Sequence, residues 1–169
     1  MKEEMKTICM QFERKYQCKM VIGPGILTDI KTHLIPLLPV AELVLITNPL
    51  LKRLYGNQLV ANLLRNEMAV KVISVPDGEN YKNITTAKKI FDKLLQGQVN
   101  RSTTLITLGG GVIGDLGGFV AATFMRGIPL IHIPTTLLAQ IDSSIGGKVA
   151  VDHWRAKNII GSFYQPIAI

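Results

Sequence analysis

Four times between residues 43 and 133 a short β-rich apolar run gives way to a helical pattern or a glycine loop, and that order permits few folds. The runs are Leu43–Thr47, Val70–Val75, Thr103–Leu108 and Leu130–Ile133. Pro49 suits the first turn of a helix reaching to about Asn66. Residues 83–96 place Ile84, Ala87, Ile90, Phe91, Leu94 and Leu95 at helical spacing, and Gly97 marks the stop. A third helix is expected over Asp115–Met125. Such alternation predicts an α/β fold, a Rossmann-like and mostly parallel sheet with helices on both faces. Ahead of it, Thr7–Phe12 and Tyr16–Ile22 alternate with period two and predict an N-terminal β-hairpin turning at Glu13-Arg14. Residues 26–38 read as a short helix ended by Pro36 or Pro39.

In a parallel sheet, ligands bind at the carboxyl ends of the strands. The segments rich in Gly, Thr, Asp and Lys all fall there: Thr47-Asn48, Asp77 to Lys82, Gly109 to Asp115, and Pro134-Thr135-Thr136. Gly109-x-Gly111-x-x-Gly114 matches the dinucleotide fingerprint, and such glycines let backbone N–H groups approach a phosphate. The acid expected about 20 residues on is replaced by Pro134-Thr135-Thr136, so an ordinary dehydrogenase is disfavoured. Asp115 can accept from a ligand hydroxyl or cap the helix that begins near it. Taken alone, Glu79 and Lys82 read as a solvated charged loop, while Lys148 and Lys157, in Gly-rich or small-residue surroundings, read equally as phosphate-binding cations and as surface lysines. Asp142 stands in the otherwise neutral stretch 139–147, which favours a site role. Arg126 ends a helix, where a cation is favourable without any ligand. His132, inside an apolar strand, reads as a core histidine.

The balance of 19 Lys+Arg against 12 Asp+Glu, a net +7, suits an anionic small molecule. The basic residues are scattered and form no block interleaved with aromatics, which argues against nucleic acid. Cys9 and Cys18 lie in no C-x-x-C motif and read as thiols of a reducing compartment. With neither a signal-like start nor an apolar span, the expectation is a cytoplasmic protein away from the membrane. No acid or histidine is spaced to complete a metal site around Asp152-His153. The chain ends on an apolar Ile-Ala-Ile, as at a domain boundary, so residues 1–169 are expected to be one domain of a longer protein.

Read together, Asp77-Gly78-Glu79-x-x-Lys82, Gly109-Gly110-Gly111-Val112-Ile113-Gly114-Asp115, residues 118–127, Pro134 to Ala139, Asp142 to Lys148 and Lys157 to Gly161 occur in an order that strongly resembles the N-terminal half of the 3-dehydroquinate synthase family. The resemblance implies a phosphate-eliminating carbon–oxygen lyase. It converts 3-deoxy-D-arabino-heptulosonate 7-phosphate, a phosphorylated sugar acid, into 3-dehydroquinate. It further implies NAD as a catalytic cofactor. A divalent metal, zinc or cobalt, is implied on ligands in a C-terminal helical domain absent from this chain. Carried over motif by motif, Asn48, Asp77, Gly78, Glu79, Lys82, Gly110, Gly111, Val112, Gly114, Asp115, Thr135, Thr136, Lys148 and Lys157 are implied to contact NAD. Arg126, Asp142, Lys148 and Asn158 are implied to contact substrate, with Asp142, Lys148 and Asn158 catalytic. The arginine at 126 is implied to reach into a partner subunit, hence a homodimer. The sequence departs from the family pattern at Val149 and at Trp154-Arg155-Ala156, so a differently shaped loop is expected between Lys148 and Lys157. Another sugar-phosphate cyclase, or a nucleotide-binding module without catalysis, are the competing readings.

Overall fold

The computed structural model describes residues 16–169. Its centre is a four-stranded parallel sheet in the order β2-β1-β3-β4, with β1 Glu42–Thr47, β2 Ala69–Ser74, β3 Thr104–Gly109 and β4 Leu130–Pro134. The inner strands β1 and β3 are buried almost end to end because both of their faces are covered. Alternate residues serve opposite layers. Val44, Ile46 and Leu105 point to the layer of helices α4 (Ile84–Gln96) and α5 (Gly111–Thr123). Leu43, Leu45, Ile106 and Leu108 point to the layer of α1 (Ile30–His33) and α3 (Asn57–Arg65). Each fully buried Leu or Ile contributes about 1.5–3 kcal/mol. Edge strand β2 is half exposed on alternate residues, as one-sided cover requires.

Helix starts are set by side chains. Asn48 caps the helical run that opens with α2 (Pro49–Leu51), its Oδ1 accepting from Leu51 N at 2.8 Å. That run continues through a π-helical turn at Lys52–Gly56 into α3. Asn83 caps α4 in the same way, through Thr86 N at 2.8 Å. Helix α5 is different: it begins at Gly111, with Gly110 as an N-cap that offers no side chain. The expected start at Asp115 is therefore corrected. That residue lies in the second turn and caps nothing. Between residues 26 and 38 the expected helix shrinks to α1 and a 3-10 turn at Ile35–Leu37, since Pro36 removes a donor within its span.

Four glycines within α5 forfeit about 1 kcal/mol each of helix propensity. Two of them are required by contact. A Cβ on Gly117 would lie 2.4 Å from Thr107 Cγ2 on β3, and one on Gly118 would lie 2.3 Å from Val149 Cγ1. Val149 belongs to β5 (Lys148–His153), which pairs antiparallel with β6 (Ala156–Phe163). The loop expected between Lys148 and Lys157 is thus a hairpin turning at Trp154-Arg155, folded onto α5. Gly118→Ala gains helix propensity but drives a methyl into a 2% exposed, β-branched side chain whose χ1 is restricted. The expected net loss is about 1–3 kcal/mol in a urea melt. Adding Val149→Ala should recover part of it, so the two changes are less than additive.

The far edge of the sheet is extended by two short segments. Ile167 N donates to Leu130 O at 2.8 Å, and Lys19 N and Val21 N donate to Ile167 O and Ile169 O at 3.0 and 2.9 Å. Segment 16–22 therefore meets the C-terminal residues in a parallel bridge, Lys19 to Ala168. The other half of the expected N-terminal hairpin, 7–12 with its turn, lies outside the described residues. No described helix is long and apolar enough to cross a membrane.

Candidate functional site

The chain leaves β1 toward β2 on one side and returns to β3 and β4 on the other. The crevice between the ends of β1 and β3 is therefore the topological switch point of the sheet. Asn48 closes β1 there and is 5% exposed. Its Nδ2 donates to Asp77 Oδ1 at 3.0 Å while its Oδ1 holds the helix cap, so both ends of the amide are committed to structure. Asp77-Gly78 begins the loop after β2, with Gly78 at φ 111, in the left-handed region that glycine tolerates.

The end of that loop carries the centre of the site. Lys82 is 4% exposed, and its Nζ lies 3.0 Å from Glu79 Oε1, 3.3 Å from Asp115 Oδ2 and 3.9 Å from Asp152 Oδ1. It also donates to Asn158 Oδ1 at 2.7 Å. One ammonium thus ties the loop after β2 to α5 and to the hairpin. Burial alone would lower the Lys82 pKa, but the hydrogen bond to Glu79 and the Asp115 carboxylate outweigh it and hold it above its usual value. Burial pushes the Asp115 carboxyl up, with the Lys82 charge opposing. Lys157 stands 3.9 Å from Glu79 Oε1 at the exposed rim. Three carboxylates and two lysines suit a ligand that presents hydroxyls beside an anionic group.

Next to this cluster the start of α5 is lined by backbone. A Cβ on Gly110 would stand 3.2 Å from Thr136 Cγ2, and one on Gly111 would stand 3.5 Å from Ser143 Oγ. The first amides of a 13-residue helix, Gly111 and Val112 among them, meet no capping side chain, and the dipole there favours negative charge. A Cβ on Gly114 would stand 4.0 Å from the His132 ring. Thr135 N donates to Gly109 O at 3.0 Å, and Thr136 Oγ1 accepts from Ala139 N at 3.2 Å, starting the next helical turn. A crevice runs between Gly109, Gly110, Gly114, His132, Pro134 and Ser143. The crevice is narrow, and the uncapped amides at the start of α5 beside it suit an anionic group.

Glu79, Lys82, Asp115, Lys157 and Asn158 are therefore brought together, as are Asn48 and Asp77, and Gly110, Gly111 and Thr136. Arg126, Asp142 and Lys148 are exposed, and their side chains make no hydrogen bond or ion pair among the described residues. Arg126 sits at φ 65 after Met125 at φ 49, so the chain carries it outward on a turn. Asp142 lies in a π-helical turn, Ala139–Ser143, and Lys148 opens β5. Asp152 is the participant that the sequence reading passed over. Its only visible signal was the Asp-His pair, read for metal ligation. Among the described residues no three His, Cys, Asp or Glu side chains converge as a metal centre.

This fold and site define a class: a Rossmann-like α/β domain of the kind found in sugar-phosphate cyclases. In structure the chain is similar to 2-epi-5-epi-valiolone synthase from Streptomyces hygroscopicus, solved with NAD+ and Zn2+, at TM-score 0.85 and 26% identity over 95% of this chain and 44% of that one. It is also similar to 2-deoxy-scyllo-inosose synthase complexed with carbaglucose-6-phosphate, NAD+ and Co2+, at TM-score 0.80 and 29% identity over 88% and 40%. In sequence, residues 72–169 match the family described as 3-dehydroquinate synthase N-terminal, and the chain belongs to that family. A 3-dehydroquinate synthase from Pelotomaculum thermopropionicum is 50% identical over 85% of this chain and 39% of its own length. One from Dehalococcoides mccartyi is 47% identical over 96% and 45%. The chain thus spans less than half the length of these relatives.

Proposed function

We propose that this chain is the NAD-binding domain of a 3-dehydroquinate synthase. With a C-terminal half it would convert 3-deoxy-D-arabino-heptulosonate 7-phosphate into 3-dehydroquinate and phosphate. The observation that carries this reading is the Lys82 cluster, which joins three separate family motifs around one ammonium at the switch point. Identity of 46–50% to synthases named for this reaction, against 26–29% to the two other cyclases, favours this substrate over theirs. NAD, when bound, supplies reversible hydride transfer. The amides at the start of α5 would hold its phosphates, with Thr135 and Thr136 at their flank. Glu79, Asp115 and Asp77 would accept from ribose hydroxyls, and Lys157 would balance charge. Lys148, Arg126 and Asp142, whose exposed side chains are uncommitted, would meet the phosphorylated substrate together with Asn158, which Lys82 holds in place, and Arg126 would serve the partner subunit of a homodimer. The divalent metal would be held by the C-terminal half, and the enzyme would work in the cytoplasm.

The direct test is phosphate release from 3-deoxy-D-arabino-heptulosonate 7-phosphate by the protein extended through its C-terminal half, with NAD and zinc or cobalt. Turnover of that sugar acid and none of glucose 6-phosphate is expected. The reverse preference would reassign the chain to another cyclase activity, and NAD binding without turnover of either would make it a binding module. In the same assay Lys148→Ala should lower kcat/KM by about 10²-fold, since it removes a charge aimed at a phosphate. An unchanged kcat/KM would remove Lys148 from the site.

A further inference from the structure

Strands β5 and β6 do not pair evenly. Val151 stands opposite Ile160 and His153 opposite Ala156, so Asp152 alone faces the three residues 157–159. Those three form a bulge, and it contains Lys157 and Asn158. Asn158 takes φ 54, the left-handed region, where asparagine is among the better tolerated side chains. Inside a bulge its N–H has no ladder partner. Asp152 provides one: its Oδ1 accepts from Asn158 N at 2.7 Å. Asp152 is itself fixed from the other side, its N donating to Lys82 O at 2.7 Å, and its side chain is 17% exposed. With the backbone of Asn158 turned this way, its Oδ1 reaches Lys82 Nζ at 2.7 Å and Lys157 Nζ comes to 3.9 Å from Glu79.

We propose that Asp152 is a positioning residue: its carboxylate, as an acceptor at one fixed place, holds the 157–159 bulge and thereby sets where Lys157 and Asn158 present their side chains. What those two residues then do rests on the function proposed above; the geometric role of Asp152 does not. The acceptor geometry matters here more than the charge, because the Asp152–Lys82 separation of 3.9 Å is a long contact and the bond to Asn158 N is a short one.

Three variants separate these terms. Asp152→Ala removes the acceptor, Asp152→Asn keeps an Oδ1 without the charge, and Asp152→Glu keeps the charge but displaces the acceptor by a methylene. Amide hydrogen exchange at Asn158 is read first, with Ile106 in β3 as the control for global opening. Exchange is expected to speed up about 2- to 10-fold in Asp152→Ala, the range set by losing one ordinary hydrogen bond. It should speed up comparably in Asp152→Glu and stay close to wild type in Asp152→Asn. Should Asp152→Ala fail to fold, the Glu and Asn pair carries the comparison. Wild-type protection of Asn158 in Asp152→Ala or in Asp152→Glu would overturn the proposal. So would Asp152→Asn exchanging as fast as Asp152→Ala, since charge would then be the operative property.

The second readout is NAD affinity and kcat/KM in the protein extended through its C-terminal half. Both should weaken in Asp152→Ala and be rescued in Asp152→Asn. Fast exchange with kinetics and affinity untouched would overturn the placement of Lys157 and Asn158 by this residue. A wild-type protein that neither binds NAD nor turns over would instead defeat the functional reading, while the exchange comparison still decides the role of Asp152.

Discussion

Replacing Lys82 by alanine is expected to destabilise the fold by about 3 kcal/mol and to abolish NAD binding by the full-length protein. Removing one partner of a buried ionic group strands the others, at about 3–5 kcal/mol in well-enclosed cases. The lower end applies here because Glu79 is 40% exposed and water screens it, while Asp115 and Asp152 are 17% exposed. Three carboxylates and the Asn158 amide oxygen would then face a point with no positive charge. Lys82→Met, which keeps the apolar stem, should recover packing but not charge and remain well below wild type. Lys82→Ala combined with Asp115→Asn should be less damaged than the single change, since one stranded charge is gone. The pH dependence has a definite sign. The Lys82 pKa is raised in the fold, so its contribution is complete below about 10.5, the unfolded value, and is lost as pH rises through the folded value. Urea midpoints at neutral pH and on the alkaline limb measure both effects. A wild-type midpoint in Lys82→Ala would mean the ammonium does not organise the site.

Much of this arrangement was legible in the chain. The apolar runs of β1, β3 and β4 and the 3–4 spacing of α4 each pointed to one kind of element, and the loops that end the strands held the polar motifs. The resemblance carried the identity of Glu79, Lys82, Asp115, Lys157 and Asn158 as members of one site; their separation in sequence did not. What escaped was decided by contacts between distant residues. The start of α5 at Gly111 depends on glycines that pack against Thr136, Ser143 and Thr107, so a helix of poor propensity forms because the sheet requires it. The β5–β6 hairpin was hidden because Gly146-Gly147 and Trp154-Arg155-Ala156 read as loop chemistry, while its burial comes from Val149 and Val151 docking on α5. Asp152 was invisible for a similar reason: its role exists only through a bulge two strands create together.

Below pH 6.5 the protein should lose stability as a single buried histidine resists protonation. His132 is 3% exposed on β4, and its Nδ1 shares a 2.6 Å hydrogen bond with Thr107 Oγ1 on β3. Desolvation lowers its pKa from 6.5 to about 4. Between those values the unfolded chain takes up a proton that the folded chain refuses, so stability is full above pH 6.5 and falls toward pH 4. A shift of this size corresponds to about 3 kcal/mol across the window. Asp115 acts in the opposite sense at the acid end, since its raised pKa lets the fold bind a proton before the unfolded chain does. Comparing wild type with His132→Gln, which can still meet the Thr107 hydroxyl, subtracts that contribution. The variant should show a shallower dependence of urea midpoint on pH between 6.5 and 4, and an unchanged slope would place the titration elsewhere. The His132 ring lies beneath Gly114 and Gly118, its Cε1 at 4.0 and 3.6 Å from where their Cβ atoms would stand. Protonating it would place a buried charge directly beneath α5. The same acid step should weaken the backbone cradle at the start of that helix, so NAD affinity and stability are expected to fall together in wild type and to separate in His132→Gln.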